Sequence, residues 1–347
     1  MMRIIQIGEN QSKEWDSYVL AYEHSSPYQL FGWKRVLEKT YALRTCYFMA
    51  EEDGKPVGVL PLTIVKGRFS GSYISSMRGG LLAQNEETAK QLLDRAKKVA
   101  REEGSSYLKI RGGHSLWNFD LKTVVGQTAI LDLTVGLETI LKNFKSEARN
   151  RVRKAEKLGL QMDTGKQYLQ EFYEVFAANM RDLGTPVFSF KFFQYLVEEF
   201  PRETDLLIVK LKDRVIAAMF MFFFKNTIYT PFIPSLKQYF SYCPNDLLYW
   251  KTIEYGYQRG IEYLDFGPNR KNPGALKFKR KFGAKLRDVY DYYISMIEPT
   301  LSLSKRTDFS ATDRGGLVYQ TVTEIWKRLP IGLTKVLGPL IRRGFPF

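Results

Sequence analysis

The chain is sparing with the side chains that most often carry proton and metal chemistry. Among its 347 residues are two histidines, His24 and His114, and two cysteines, Cys46 and Cys243, far apart in sequence. Two distant cysteines cannot build a disulfide framework or a thiolate zinc site. Histidine-dependent catalysis would have to rest on one of two residues, and His114 stands in the Gly-rich stretch Arg111-Gly112-Gly113-His114, where a loop role fits better than a base. Long apolar runs are also missing. The longest, Val215 to Phe224, has ten residues, whereas a membrane-spanning helix needs about 20, so the run reads as a buried strand. Met1 to Asn10 lacks the basic and then apolar pattern of a secretion signal. These features predict a reducing, cytosolic compartment and are compatible with the inner face of a membrane. No G-x-G-x-x-G and no G-x-x-x-x-G-K-[ST] occurs, which removes support for Rossmann and P-loop readings.

Acid is scarce relative to base. There are 52 Lys and Arg against 37 Asp and Glu, a formal net charge of +15. That excess predicts a polyanionic partner, whether nucleic acid, a phosphorylated carrier or an anionic membrane surface. With 44% hydrophobic and 14% aromatic residues the chain has ample material to bury, which excludes disorder. At about 150 residues per domain the length predicts two domains.

The chain repeats itself. Tyr47 to Ala50 reads as a strand, Asp53-Gly54 as a turn and Val57 to Val65 as the return strand. A helix over Glu86 to Glu103 and a strand over Tyr107 to Ile110 follow. The second half repeats the order: strand Leu206 to Leu211, turn Lys212-Asp213-Arg214, strand Val215 to Phe224, and a strand near Thr227 to Phe232. A helix over Asn245 to Gln258 and a strand over Tyr263 to Phe266 complete it. Gly104-x-x-Tyr107-Leu108-x-Ile110 matches Gly260-x-x-Tyr263-Leu264-x-Phe266 at an offset of 156. Each glycine sits where a helix end needs a left-handed residue. The fold class expected is α/β: mixed sheets flanked by helices, in domains 1–136 and 137–297 with a basic tail over 298–347.

The positive charge is concentrated in three places. Lys142 to Lys157 carries seven Lys and Arg and two Glu. It reads as part of one helix beginning near Leu137, with Lys145, Arg149, Arg153 and Lys157 in a single stripe. That stripe is either a solvated face or a phosphate-binding ridge. Phe266 to Arg287 carries eight basic residues and no acidic one. Its alternation around Lys277-Phe278-Lys279 reads as a strand or loop with both lysines on one face. Lys305 to Phe347 carries eight basic and three acidic residues. Its apolar positions Val318, Val322, Ile325, Trp326 and Leu329, then Leu333, Val336, Leu337, Leu340 and Ile341, make basic amphipathic segments. Residues 317–343 either contact a membrane peripherally or dock on the protein body.

These stretches carry a family resemblance over about residues 1 to 297. Lys145-x-x-x-Arg149-Asn150-x-Val152-Arg153-Lys154-Ala155-Glu156-x-x-Gly159 resembles the basic helix that opens the second domain of FemAB-like proteins. Met180-Arg181-Asp182-Leu183-Gly184-Thr185-Pro186 resembles the signature of the subgroup found with exopolysaccharide and PEP-CTERM protein-sorting systems. Asn245-Asp246-Leu247-Leu248-Tyr249-Trp250, Asp265-Phe266-Gly267 and Phe278-Lys279-x-x-Phe282-Gly283 follow in the family's order, and Val57-Gly58-Val59-Leu60-Pro61-Leu62 and Gly79-Gly80 match in the first half. The resemblance implies two tandem GNAT-like acyltransferase domains. It implies amide-bond formation, in which an amine on a cell-wall or other carrier-linked precursor attacks an activated acyl or aminoacyl ester. The implied donor is aminoacyl-tRNA, with no permanently bound cofactor. Relatives of the subgroup usually follow Asp-Phe-Gly with Arg-Ser, whereas here Pro268-Asn269-Arg270 displaces the arginine by two positions. No [QR]-x-x-G-x-[GA] loop for a coenzyme A pyrophosphate is present, which counts against an acyl-CoA donor.

Acyl transfer from an activated ester needs positioning and a positive group near the developing oxyanion. Lys279 is the candidate for that group, with Lys277 as its alternative, and Asp265 is either a base or a turn residue. Arg149 and Arg153 suit a diphosphate or tRNA phosphates, since guanidinium grips phosphate bidentately. Tyr249 lines the cleft or packs on a helix face. Trp33, Arg111, Arg181 and Arg270 complete the candidate substrate contacts. For Trp33 core packing is the alternative, and for Arg181 it is an ion pair with Asp182. Two other function classes stay open: a coenzyme A-dependent N-acetyltransferase, and a non-catalytic nucleic-acid- or membrane-binding protein on the same fold.

Overall fold

A computed structural model describes residues 2–67, 71–112, 122–269, 273–296 and 317–344. Compactness sorts the chain into two units. Met1–Val125, Val289–Val322 and Gly338–Phe347 make one, and Gly126–Asp288 with Thr323–Leu337 make the other.

In unit 1 the elements are β1 (Arg3–Gln6), α1 (Ser12–Ala21), α2 (Gly32–Tyr41), β2 (Arg44–Glu52), β3 (Lys55–Gly67), β4 (Gly71–Ser76), β5 (Leu82–Ala83), α3 (Glu86–Glu102) and β6 (Tyr107–Ile110), together with the first residues of β7 (Lys122–Asp132), most of which belongs to unit 2. Period-two patterning places Cys46, Phe48 and Ala50 of β2 beside Leu60, Leu62 and Ile64 of β3, under Ala89, Leu92 and Ala96 of α3. The tight turn between these strands uses left-handed backbone at Asp53 and Gly54 (φ 50° and 75°). α3 starts where the Asn85 side chain accepts the Thr88 N–H at 2.9 Å.

Unit 2 holds β7 (Lys122–Asp132), α4 (Leu137–Asn143), α5 (Ser146–Lys157), β8 (Leu160–Thr164), α6 (Leu169–Asp182), α7 (Phe190–Glu199), β9 (Thr204–Leu211), β10 (Arg214–Phe224), β11 (Thr227–Phe232), α8 (Pro244–Gln258), β12 (Tyr263–Asn269) and α9 (Pro273–Arg280). Its strand order is β7-β12-β11-β10-β9-β8. The apolar run of β10 is buried on both faces, as expected. Met219 and Met221 belong to the core beneath α5 and α8. Phe220 lies on the opposite face, 5.8 Å from Phe172 of α6 and 6.0 Å from Phe193 of α7.

The two units share a topology. In unit 1 the β2–β3 hairpin is followed by β4, α3 and β6, which runs parallel to β4. In unit 2 the β9–β10 hairpin is followed by β11, α8 and β12, parallel to β11. The paired glycines after the helices are both left-handed, Gly104 at φ 60° and Gly260 at φ 70°. Each unit is then closed by an antiparallel strand distant in sequence. β13 (Lys285–Ser295) pairs with β6, and β7 pairs with β12. The division by compactness falls at Val125/Gly126, inside β7, whose residues Gln127 to Asp132 pair with β12.

Two expectations are corrected. The single helix beginning near Leu137 is two, broken at Phe144, whose backbone is extended (φ −62°, ψ 141°). Phe144 leaves the helix to pack edge-on against Phe282 and Trp250, with ring centroids 5.0 and 5.5 Å away. The Lys145 N–H, freed by the break, donates to the Lys281 carbonyl at 2.9 Å. The Lys277–Lys279 segment is helical, not extended. It lies in α9, which opens with Pro273, a residue suited to the first helical position. Left-handed Gly283 (φ 81°) lies just beyond its end.

The C-terminal segment forms α10 (Leu317–Arg328) and α11 (Ile331–Arg342). Trp326 and Thr334 are buried. A Cβ on Gly184 would lie 2.2 Å from the Thr323 side chain, and Lys335 donates to Glu174 at 2.5 and 2.6 Å. Thr323 of α10 and Lys335 of α11 thus meet α6 and the turn after it within unit 2. No described helix is long and apolar enough to cross a membrane.

Candidate active site

β12 runs Tyr263-Leu264-Asp265-Phe266-Gly267-Pro268-Asn269. Leu264 and Phe266 point into the core, which directs Asp265 to the other face. β11 and β12 pair from Thr227↔Tyr263 to Tyr229↔Asp265 and no further. Pro231 and Pro268 follow, and neither has an N–H to extend the ladder. The strands part at Asp265, where the Thr230 hydroxyl donates to the Asp265 carbonyl at 3.1 Å.

The Asp-Phe-Gly motif has a physical reason. Asp265 Oδ1 accepts the Gly267 N–H at 2.8 Å and the Thr128 hydroxyl at 2.5 Å, a local side-chain turn that aspartate favours. Gly267 takes φ 73°, a conformation that costs other residues strain. Phe266 between them anchors the turn, stacking on Tyr249 at 4.8 Å. Oδ2 of Asp265 meets no partner among the described residues.

Lys279 reaches this turn from α9. Its side chain is buried, and Nζ donates to the carbonyls of Phe266 at 2.5 Å and Gly267 at 2.6 Å. The ammonium therefore holds the end of β12 and places a positive charge where β12 leaves β11. Lys277 does not share its face. Two residues apart on a helix means a rotation of about 200°, and Lys277 is exposed.

One buried carboxylate ties the basic stretches together. Asp246, in the first turn of α8, is fully buried. It accepts Arg151 Nε from α5 at 2.9 Å and Lys281 Nζ from just beyond α9. Lys281 Nζ also lies 4.0 Å from the Phe278 ring centroid. The middle of α5 and the end of α9, in the two most basic segments of this unit, are thereby joined. Next to Asp246, Asn245 turns its Oδ1 inward, where it has no partner among the described residues.

The other sequence-derived candidates divide. Arg153 is exposed beside Lys154 and Lys157 on α5. Arg149 is partly committed, since its Nη1 donates to the Phe144 carbonyl and, at 3.2 Å, to that of Lys142 at the end of α4. Tyr249 is buried among Phe266, Phe278 and Phe282. Burial pushes its phenol far above the ordinary range, so it packs and stays protonated. Arg181 forms an ion pair with Asp182 at 2.7 Å. In unit 1, Trp33 is buried, donates Nε1 to the Pro27 carbonyl at 2.8 Å and packs at a tilt against the Tyr28 ring. Arg111 is buried at the end of β6, where its N–H meets the Ser76 hydroxyl at 2.8 Å. A Cβ on Gly80 would lie 3.1 Å from the Arg111 carbonyl, which is why that turn is glycine. Arg270 and His114 lie outside the described residues. Asp246, Lys281, Arg151 and Thr128 were not singled out by sequence reasoning. The available signal was a lone aspartate in the apolar stretch Cys243 to Trp250. Among the described residues, no group of three His, Cys, Asp or Glu could hold a metal ion.

Comparison with known proteins follows this geometry. Residues 142–280, all within unit 2, match the family model described as an acetyltransferase (GNAT) domain. No curated protein matches the chain. The crystal structure of FemX superposes with a TM-score of 0.65 at 18% identity, covering 84% of this chain and 97% of that one. The C-terminal domain of a putative lysylphosphatidylglycerol synthetase from Agrobacterium fabrum gives 0.59 at 13% identity, over 86% and 94%. A tandem GNAT protein from the clavulanic acid biosynthesis pathway gives 0.57 at 10% identity, over 86% and 99%. At these identities the solved structures establish the fold. That fold is a tandem GNAT fold, and the matched domain marks the chain as an acyltransferase.

Proposed function

We propose that the protein forms an amide bond between an activated aminoacyl or acyl donor, aminoacyl-tRNA in the preferred reading, and an amine on a phosphate-bearing cell-envelope or polysaccharide precursor. This reading places it with the FemAB-like enzymes of exopolysaccharide and PEP-CTERM systems. The observation that carries it is the joining of the two basic segments through Asp246, which leaves Arg153, Lys154 and Lys157 as an exposed ridge on α5. Such a ridge suits a ligand with several phosphates. The names of two solved neighbours, FemX and a putative lysylphosphatidylglycerol synthetase, support the same reading.

In the proposed reaction the amine nitrogen attacks the ester carbonyl. A C–N bond forms, the C–O bond to the donor breaks, and the nitrogen loses a proton. Asp265 Oδ2 is the proposed acceptor of that proton and passes it to the departing donor oxygen, which leaves as a hydroxyl. Lys279 holds the turn in place and contributes positive charge where the oxyanion develops. Arg153 binds donor or acceptor phosphate.

A coenzyme A-dependent acetyltransferase is the second reading, favoured by the description of the matched domain. Against it stands Asp246. A helix N-terminus attracts phosphate, but the first turn of α8 already carries this carboxylate, clasped by two cations. Transfer assays with purified protein separate the readings. Charged tRNA should donate and labelled acetyl-CoA should not. Turnover with acetyl-CoA and none with any charged tRNA would overturn the proposal. Deletion of the gene should also change the mass of a lipid- or nucleotide-linked precursor.

A further inference from the structure

The helices α10 and α11 each turn a polar or aromatic side inward and an apolar side outward. On α10, Val322 and Ile325 are each 56% exposed. On α11, Leu333, Val336, Leu340 and Ile341 are exposed, Val336 at 65% and Leu340 at 71%. Val322 and Ile325 stand at i, i+3, and Leu333, Val336 and Leu340 at i, i+3, i+7, so each helix carries a single outward stripe. The residue best suited to the core, Trp326, is used for docking, and Lys335 is held by Glu174. The outward apolar side chains take no part in these contacts.

The charges beside the stripes are mostly basic. Residues 317–344 contain Lys327, Arg328, Lys335, Arg342 and Arg343 against the single acid Glu324. Arg328 and Arg343 are exposed. A second copy of this chain would bring a second basic face to the same surface, and the whole chain carries +15, so self-association is disfavoured. An anionic phospholipid surface meets both requirements. It accepts apolar side chains at the headgroup boundary and basic ones among the phosphates.

We propose that α10 and α11 form a peripheral docking surface for anionic membranes. Seated there, the protein reaches an acceptor presented at a bilayer without any spanning segment. This inference is independent of the donor and of the site residues.

The test is co-sedimentation of the full chain with phosphatidylcholine vesicles, with and without phosphatidylglycerol. Binding is expected only with phosphatidylglycerol and weakens with salt. Val336→Asp with Leu340→Asp weakens it about tenfold or more. Leu20→Asp, at an exposed apolar residue outside the tail, leaves it unchanged. If the α11 variant melts early, Val322→Asp with Ile325→Asp on α10 gives the same reading. Three results overturn the proposal: no sedimentation with phosphatidylglycerol vesicles, equal binding by all variants, or a concentration-dependent dimer that the tail variants abolish while vesicles are ignored.

Discussion

Replacing Asp246 by asparagine probes the join between the two basic segments. The change keeps the size of the side chain and removes its charge. In the native protein the carboxylate is fully buried and accepts from two cations. Those cations differ. The Arg151 side chain is 41% exposed and can be re-solvated, so its loss costs about 0–1 kcal/mol. The Lys281 side chain is 6% exposed and cannot. Stranding one member of a buried pair costs about 3–5 kcal/mol. The expected loss is therefore about 3–6 kcal/mol, most of it from Lys281, which lowers the melting temperature by roughly 6–24 °C for a unit of this size. Differential scanning calorimetry and guanidinium titration measure both. Adding Lys281→Met to Asp246→Asn removes the stranded ammonium and should recover about 2 kcal/mol, a coupling that a double-mutant cycle isolates. A loss under about 1 kcal/mol, or no recovery in the double variant, would refute the assignment of Asp246 as the tie between α5, α8 and α9.

Two further predictions rest on single contacts. Lys279→Met leaves the carbonyls of Phe266 and Gly267 without their ammonium, so transfer should fall about 10²–10³-fold while donor affinity changes little; full turnover by a folded variant would remove Lys279 from the mechanism. Glu103 in unit 1 pairs with Arg44 at 2.8 Å and Lys66 at 3.0 Å. The hydrogen bond from Lys66, then that from Arg44, holds its carboxyl below the usual range. A folded-state pKa below the unfolded value of about 4.3 means the stabilisation is complete above that pH and fades as pH falls through the lowered folded value. Both partners are largely exposed, so the wild type should exceed Glu103→Gln by about 0.5–1 kcal/mol at pH 6. The gap should close in acid; a gap independent of pH would contradict the pairing.

The sequence alone determined whatever depends on neighbours in the chain. Alternation and turn chemistry marked the β2–β3 and β9–β10 hairpins, the ten-residue run marked β10 as buried, and Gly104 and Gly260 marked the helix ends that the structure places in left-handed backbone. The order of these signals revealed the duplication, and the Asp265-Phe266-Gly267 motif marked the strand end that now centres the candidate site. Tertiary structure decided whatever depends on distant partners. β7 and β13 pair with β12 and β6 across distances in sequence that no local pattern announces. The helix through Phe144 breaks because its ring packs against Phe282 and Trp250. Asp246 acquires meaning from cations 95 and 35 residues away. Lys277, Lys279 and Lys281 look alike in a basic run, yet one is exposed, one holds two carbonyls and one neutralises a buried carboxylate. Charge and periodicity are written along the chain. Which ammonium is desolvated, and by what, is set when distant segments exclude water together.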